Sequence, residues 1–167
     1  KIFCERVYAP AVDMENMMRE KNIPLFALES REPITNFDVI AFTLQYELSY
    51  TNILNMLDLA NVPILRTERK LDDPFILVGG PCAYNVEPMA DFVDIVVLGE
   101  GEEVNLEILN AYKEWKKNKT TREDFLYQIS SIEGVYIPSF YDVTYNEDNT
   151  VKEVVPNREN IPAKPHK

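Results

Sequence analysis

Three apolar runs restrict the fold more than any other feature of this chain. FDVIAFTL (residues 37–44), FILV (75–78) and FVDIVVL (92–98) are nearly continuous in apolar residues. A strand with one wet face alternates polar and apolar residues, whereas a strand covered on both faces does not. These runs therefore read as strands of a parallel sheet with helices on its faces. The segments after them have helical spacing: Leu48, Ile53, Met56, Leu57 and Ala60 after the first, and Val104, Ile108, Ala111, Tyr112 and Trp115 after the third. Alternating strands and helices predict an α/β fold with an open parallel sheet and right-handed crossovers.

The remaining segments fit around that frame. Residues 2–9 read as a first strand, broken by Pro10. Asp13 is placed to cap a helix over residues 14–22, with Met14, Met17 and Met18 as its core stripe and Asn22 closing it. Residues 23–28 read as a short strand at a sheet edge, because of Pro24. Ser49 is a candidate cap for the helix that follows, and NVPILRTER a candidate further strand. TTREDFLYQISSI predicts a helix capped by Thr120 or Thr121, with Glu123 and Asp124 in its first turn. From Gly134 the pattern alternates and turns at residues 146–149, as a hairpin does. The expected organisation is an α/β domain over residues 1–133, then a hairpin and Pro-rich linker over 134–167.

Charge and cysteine content narrow the function. Seventeen Lys and Arg stand against 28 Asp and Glu, a net charge of −11. Phosphate backbones and anionic lipid both select basic surfaces, so neither nucleic acid nor membrane is an expected partner. No apolar run approaches the roughly 18 residues of a membrane span, and no signal peptide opens the chain. Cys4 and Cys82 read as free thiols in a reducing, cytoplasmic setting. With one histidine, His166 in the polar tail, the chain cannot assemble a zinc or iron–sulfur ligand set. The chain opens on Lys1 rather than Met, so its ends can be cut points in a longer protein.

Four of the five glycines end two of the apolar runs: Gly79 and Gly80 after FILV, Gly99 and Gly101 after FVDIVVL. In open parallel sheets, ligands bind beyond the carboxyl ends of the strands. Thr43, Leu44, Gln45 and Tyr46 fall at a third such end. Glycine there permits a sharp turn or close approach of a ligand to the backbone. Phosphate is the usual guest of such a turn, but Glu100, Glu102 and Glu103 would repel it. Their carboxylates accept from hydroxyl or amide donors instead. The guest expected here is neutral and rich in donors. The plain alternative is that the glycines only shape turns and the glutamates only complement a helix dipole.

Thr43, then Gly79, Gly80 and Pro81, then Gly99, Glu100, Gly101 and Glu102 follow one another on successive strands. In that order and spacing, the chain resembles the cobalamin-binding-like domain that precedes the catalytic domain in many radical SAM proteins. ERVYAPAVDMENMMREKNIPLFALES and GVYIPSFYDVTYNEDNTV are similar to an uncharacterised subfamily of those proteins. The resemblance implies a Rossmann-like or flavodoxin-like sheet of about five strands holding a corrinoid at its carboxyl edge. It implies that residues 43–46 line the corrin or its nucleotide tail. Gly79, Gly80, Pro81, Cys82 and Ala83 would pack along that tail, and Gly99, Glu100, Gly101 and Glu102 would accept hydrogen bonds from amides or ribose. The chain departs from the family in three respects. Cys82 stands where many members have histidine, no DxHxxG motif is present, and the strand and helix that normally precede KIFCERVYAP are lacking. That strand would be central in the sheet. The resemblance places the 4Fe-4S cluster and S-adenosylmethionine in a radical SAM domain of the same parent chain, beyond His166, so no catalytic residue is expected here.

Three functions follow as expectations: a cobalamin-facing domain of a radical SAM enzyme; a cofactor-free docking domain that self-associates through the open sheet edge; and a stand-alone nucleotide or flavin domain, which the acidic loop disfavours.

Overall fold

Phe75, Ile76, Leu77 and Val78 are all buried, and they form the dry centre of the sheet. In the computed structural model, which describes residues 1–163, strand β2 (Phe75–Gly79) lies between β1 (Val39–Thr43) and β3 (Ile95–Val97). Both neighbours run parallel to it, with Val39 opposite Phe75 and Leu77 opposite Ile95. A short fourth strand, β4 (Val135–Tyr136), pairs antiparallel with β3. Helices α1 (Val12–Lys21), α2 (Tyr50–Leu59), α3 (Gly101–Asn118) and α4 (Arg122–Ile129) flank the sheet, and β5 (Tyr141–Tyr145) with β6 (Val151–Pro156) forms the hairpin. The expected α/β class, parallel order and hairpin are all present. Gly134 does not open the hairpin directly, because Val135 and Tyr136 first join the sheet.

The helices dock as their apolar spacing dictates. Ile108, Tyr112 and Trp115 form the buried stripe of α3, and Phe125, Leu126 and Ile129 that of α4. Phe75 meets the rings of Tyr112, Trp115 and Phe125 at centroid separations of 6.0, 5.8 and 4.8 Å. Such tilted and edge-on contacts add about 0.5–1.5 kcal/mol each to area burial. Thr121 caps α4: its hydroxyl accepts from the Asp124 amide and the Asp124 carboxylate accepts from the Thr121 amide.

Several local expectations fail where no partner segment is available. Residues 2–9 form no strand. One ladder-like bond, from Leu28 N–H to the Arg6 carbonyl, ties them down, and Phe3 stays 80% exposed. Residues 23–28 form no strand: they run irregularly to a turn that begins at Leu28, with a single bridge between Phe26 and Pro33. NVPILRTER is irregular apart from a 3-10 turn, Arg66–Glu68. Asp13 lies inside the first turn of α1 and Ala11 takes the cap position. Met18 is buried whereas Met14 and Met17 are exposed. Leu48 is exposed and Ser49 makes no cap, because a 3-10 turn, Glu47–Ser49, carries both ahead of α2.

β1 is an edge strand and not one covered on both faces. Ala41 and Thr43 are exposed, and Val39 and Phe42 half-buried. In its parallel ladder the bonds to β2 alternate along the strand. Phe75 N–H donates to the Asp38 carbonyl at one end and Leu44 N–H to the Gly79 carbonyl at the other. This alternation turns the amides of Val39, Ala41 and Thr43 away from β2. Among the described residues no hydrogen bond covers them.

Candidate functional site at the carboxyl rim

The parallel order of β1, β2 and β3 puts all three carboxyl ends on one rim, and the candidate residues 43–46, 79–83 and 99–102 stand at or just after those ends. The ends of β1 and β2 are knitted together. Leu44 N–H donates to the Gly79 carbonyl at 2.7 Å, Cys82 N–H to the Leu44 carbonyl at 3.0 Å, and the Cys82 thiol to the Gln45 carbonyl at 3.4 Å. The Tyr50 hydroxyl donates to the carbonyls of Asn85 and Cys82 at 3.0 and 3.3 Å, which fastens the turn Pro81–Asn85 to α2.

The four glycines differ in what they permit. Gly80 has φ +99°, and a Cβ there would lie 2.9 Å from Thr43 Cγ2 and 3.2 Å from the Leu44 carbonyl oxygen. Its missing side chain is filled by the chain's own β1 end. At Gly79 a Cβ would meet Val97 of β3 at ordinary contact distance. Gly99 has φ +93° and open space around it, with the Tyr84 hydroxyl 4.0 Å from an added Cβ. At Gly101 the nearest group is the flexible Asn105 side chain. The close approach to backbone at Gly80 is therefore made by the protein itself, whereas Gly99 faces outward.

Around these turns the rim is apolar and acidic. Tyr46, Leu48 and Tyr84 are 55, 84 and 57% exposed, and Glu100 and Glu102 stand exposed at the start of α3. Leu44 and Ala83 are fully buried, and the Leu44 backbone is already bonded to Gly79 and Cys82, so these two residues support the rim from beneath and do not face a guest. Burial, aided by the Glu47 carboxylate, pushes the Cys82 thiol up from its ordinary value. It stays protonated near neutral pH and is a poor metal ligand, since thiolate is the ligating form. Among the described residues no group of three or more His, Cys, Asp or Glu converges to hold a metal ion. His166 lies outside the described residues. A corrinoid resting here would find surfaces for its ring and acceptors for its amides, and no described histidine for its cobalt.

The opposite rim holds a network that the apolar-run reading passed over. Asp94, just before β3, is 4% exposed. Its Oδ2 accepts from Arg69 at 2.9 Å, from the Ile76 amide at 2.7 Å and from Arg122 at 3.2 Å. Arg69 also donates to the carbonyls of Pro63, Ile64 and Phe92. Burial pushes the Arg69 guanidinium down from its ordinary value and Asp94 opposes that shift. The sequence signal was present: a lone carboxylate inside FVDIVVL needs a buried cation.

No helix among the described residues is long and apolar enough to cross a membrane. The family described as radical SAM proteins, N-terminal, matches residues 1–138. An uncharacterized protein of Methanocaldococcus jannaschii is 35% identical, over a stretch covering 73% of this chain and 30% of that protein. This chain thus spans about 30% of the length of that curated relative. No solved structure matches. An α/β sheet with its small-residue turns on one carboxyl rim, together with a family match over residues 1–138, leads to one conclusion: the chain belongs to the radical SAM N-terminal family.

Proposed function

We propose that the carboxyl rim is a shelf for a corrinoid, and that the chain serves as the cobalamin-facing domain of a radical SAM enzyme. The 4Fe-4S cluster and S-adenosylmethionine would belong to a catalytic domain elsewhere in the same protein. The observation that carries this reading is the grouping of three strand ends on one rim. There Gly99 lies open near Tyr84, exposed Tyr46 and Leu48 follow the end of β1 on the same rim, and Glu100 and Glu102 stand as acceptors. Apolar rings offer a platform, carboxylates take N–H and O–H donors, and the absence of cationic groups from the candidate residues disfavours a phosphate at that spot. Titration of hydroxocobalamin with the chain should give a saturable change in corrin absorbance. Gly99→Leu, which projects a side chain into the open space, should abolish it. An unchanged spectrum at high micromolar cobalamin defeats the reading.

The unpaired edge of β1 favours a second reading, a cofactor-free docking domain that pairs with another copy of itself. Outward-turned amides at Val39, Ala41 and Thr43 are a template for strand addition. Light scattering should then show a mass that rises with concentration, and Ala41→Pro should return it to the monomer. A strict monomer at all concentrations removes this reading.

A further inference from the structure

A cleft of about 320 Å3 opens at the amino rim of the sheet, the end opposite the glycine turns. The side chains that shape it are Arg66, Arg69, Arg122, Arg158, Asp94 and Glu123. Four guanidinium groups thus meet two carboxylates, in a chain whose net charge is −11. An excess of positive charge in one small cleft of an acidic protein calls for a reason.

The arginines divide into two kinds. Arg69 and Arg122 are spent on the fold: Arg69 is fully buried with Asp94 and three carbonyls, and Arg122 donates to the carbonyls of Asp73 and Pro74 while lying 3.8 Å over the Phe75 ring. Both share Asp94, so one carboxylate balances two cations and a buried positive charge remains at the floor. Arg66 and Arg158 stand at the mouth. Arg66 uses its Nε on the Ala90 carbonyl at 3.0 Å. Among the described residues its terminal nitrogens have no hydrogen-bond acceptor, the nearest carboxylate being the exposed Asp91 at 3.9 Å. Arg158 is held over the Phe140 ring at 4.7 Å and pairs with Glu123, with its side chain 40% exposed. Ser139 lines the same wall.

We propose that this cleft binds a phosphate group, free or carried on a small molecule, with Arg66 and Arg158 as its direct donors and the Asp94-bound pair supplying the field behind them. A guanidinium presents its N–H groups as a flat fork that fits phosphate oxygens two at a time. A cleft of this volume falls in the range of small-molecule sites. The site is independent of the corrinoid shelf, because the parallel strands separate the two rims.

The test is calorimetric titration of inorganic phosphate into the intact chain at low ionic strength, with chloride as the control anion. Saturable binding is expected, weakened about tenfold or more by Arg66→Gln and likewise by Arg158→Gln, the scale of one charge-assisted hydrogen bond. Glu123→Gln should tighten it, since it releases Arg158. All three changes lie at the cleft mouth, and circular dichroism checks that each variant is folded. A parallel titration with glycerol phosphate separates the two sources: equal affinity indicates free phosphate, tighter affinity a phosphorylated small molecule. Absence of saturable heat, or wild-type affinity in either arginine variant, overturns the proposal.

Discussion

Asp94→Ala is expected to lower the unfolding free energy by about 3–5 kcal/mol, the usual cost of removing one partner from a buried charge network. The carboxylate is 4% exposed and the Arg69 side chain fully buried, so solvent cannot take its place. Its loss leaves three donors, on Arg69, Arg122 and the Ile76 amide, without their acceptor. The damage sits between the starts of β2 and β3 and should reach the global transition, which urea unfolding followed by circular dichroism would read. The double variant Arg69→Met with Asp94→Ala should be less destabilised than the two single losses added together. Removing both charges avoids burying either alone, and neighbouring sites couple in this way. A loss below about 1 kcal/mol for Asp94→Ala would mean that water enters the network and that the pair is not structural.

Gly80→Ala is expected to cost about 2–3 kcal/mol. Part of this is the backbone: a φ of +99° lies in the region L-residues avoid, at roughly 1–2 kcal/mol. The rest is contact with Thr43 Cγ2 at 2.9 Å and the Leu44 backbone close behind. Gly99→Ala provides the internal comparison. It has nearly the same φ, +93°, and open surroundings, so it should lose only the backbone part, roughly 1–2 kcal/mol. Thr43→Ser removes Cγ2 and should recover part of the Gly80→Ala loss in the double variant. Equal losses at the two glycines would show that the approach of β1 to Gly80 contributes nothing.

The central strands, the long helix α3 and a threonine cap at 120 or 121 were legible because local pattern decides them; the structure puts the cap at Thr121. FILV has no polar residue to place outward, and the apolar residues of α3 recur at three and four. Residues 2–9 and 23–28 have strand-like composition as well, but a strand exists only when a neighbour offers a ladder, and apolar content cannot show whether one does. The rim positions were legible in kind and not in role. Glycine at a strand end marks a close approach, and the identity of the approaching group is a matter of three-dimensional neighbours. At Gly80 that group is Thr43; at Gly99 the space is open.

By itself the sequence determined the α/β class, the parallel order of buried runs and the concentration of small residues at their carboxyl ends, because hydrophobic period and glycine placement act within a few residues. The exposed edge position of β1, the service of Asp94 to two arginines from distant segments, and the convergence of four arginines on the opposite rim emerge only in three dimensions. Those outcomes depend on contacts between residues far apart in the chain, where charge and geometry are set by which segments the sheet brings side by side.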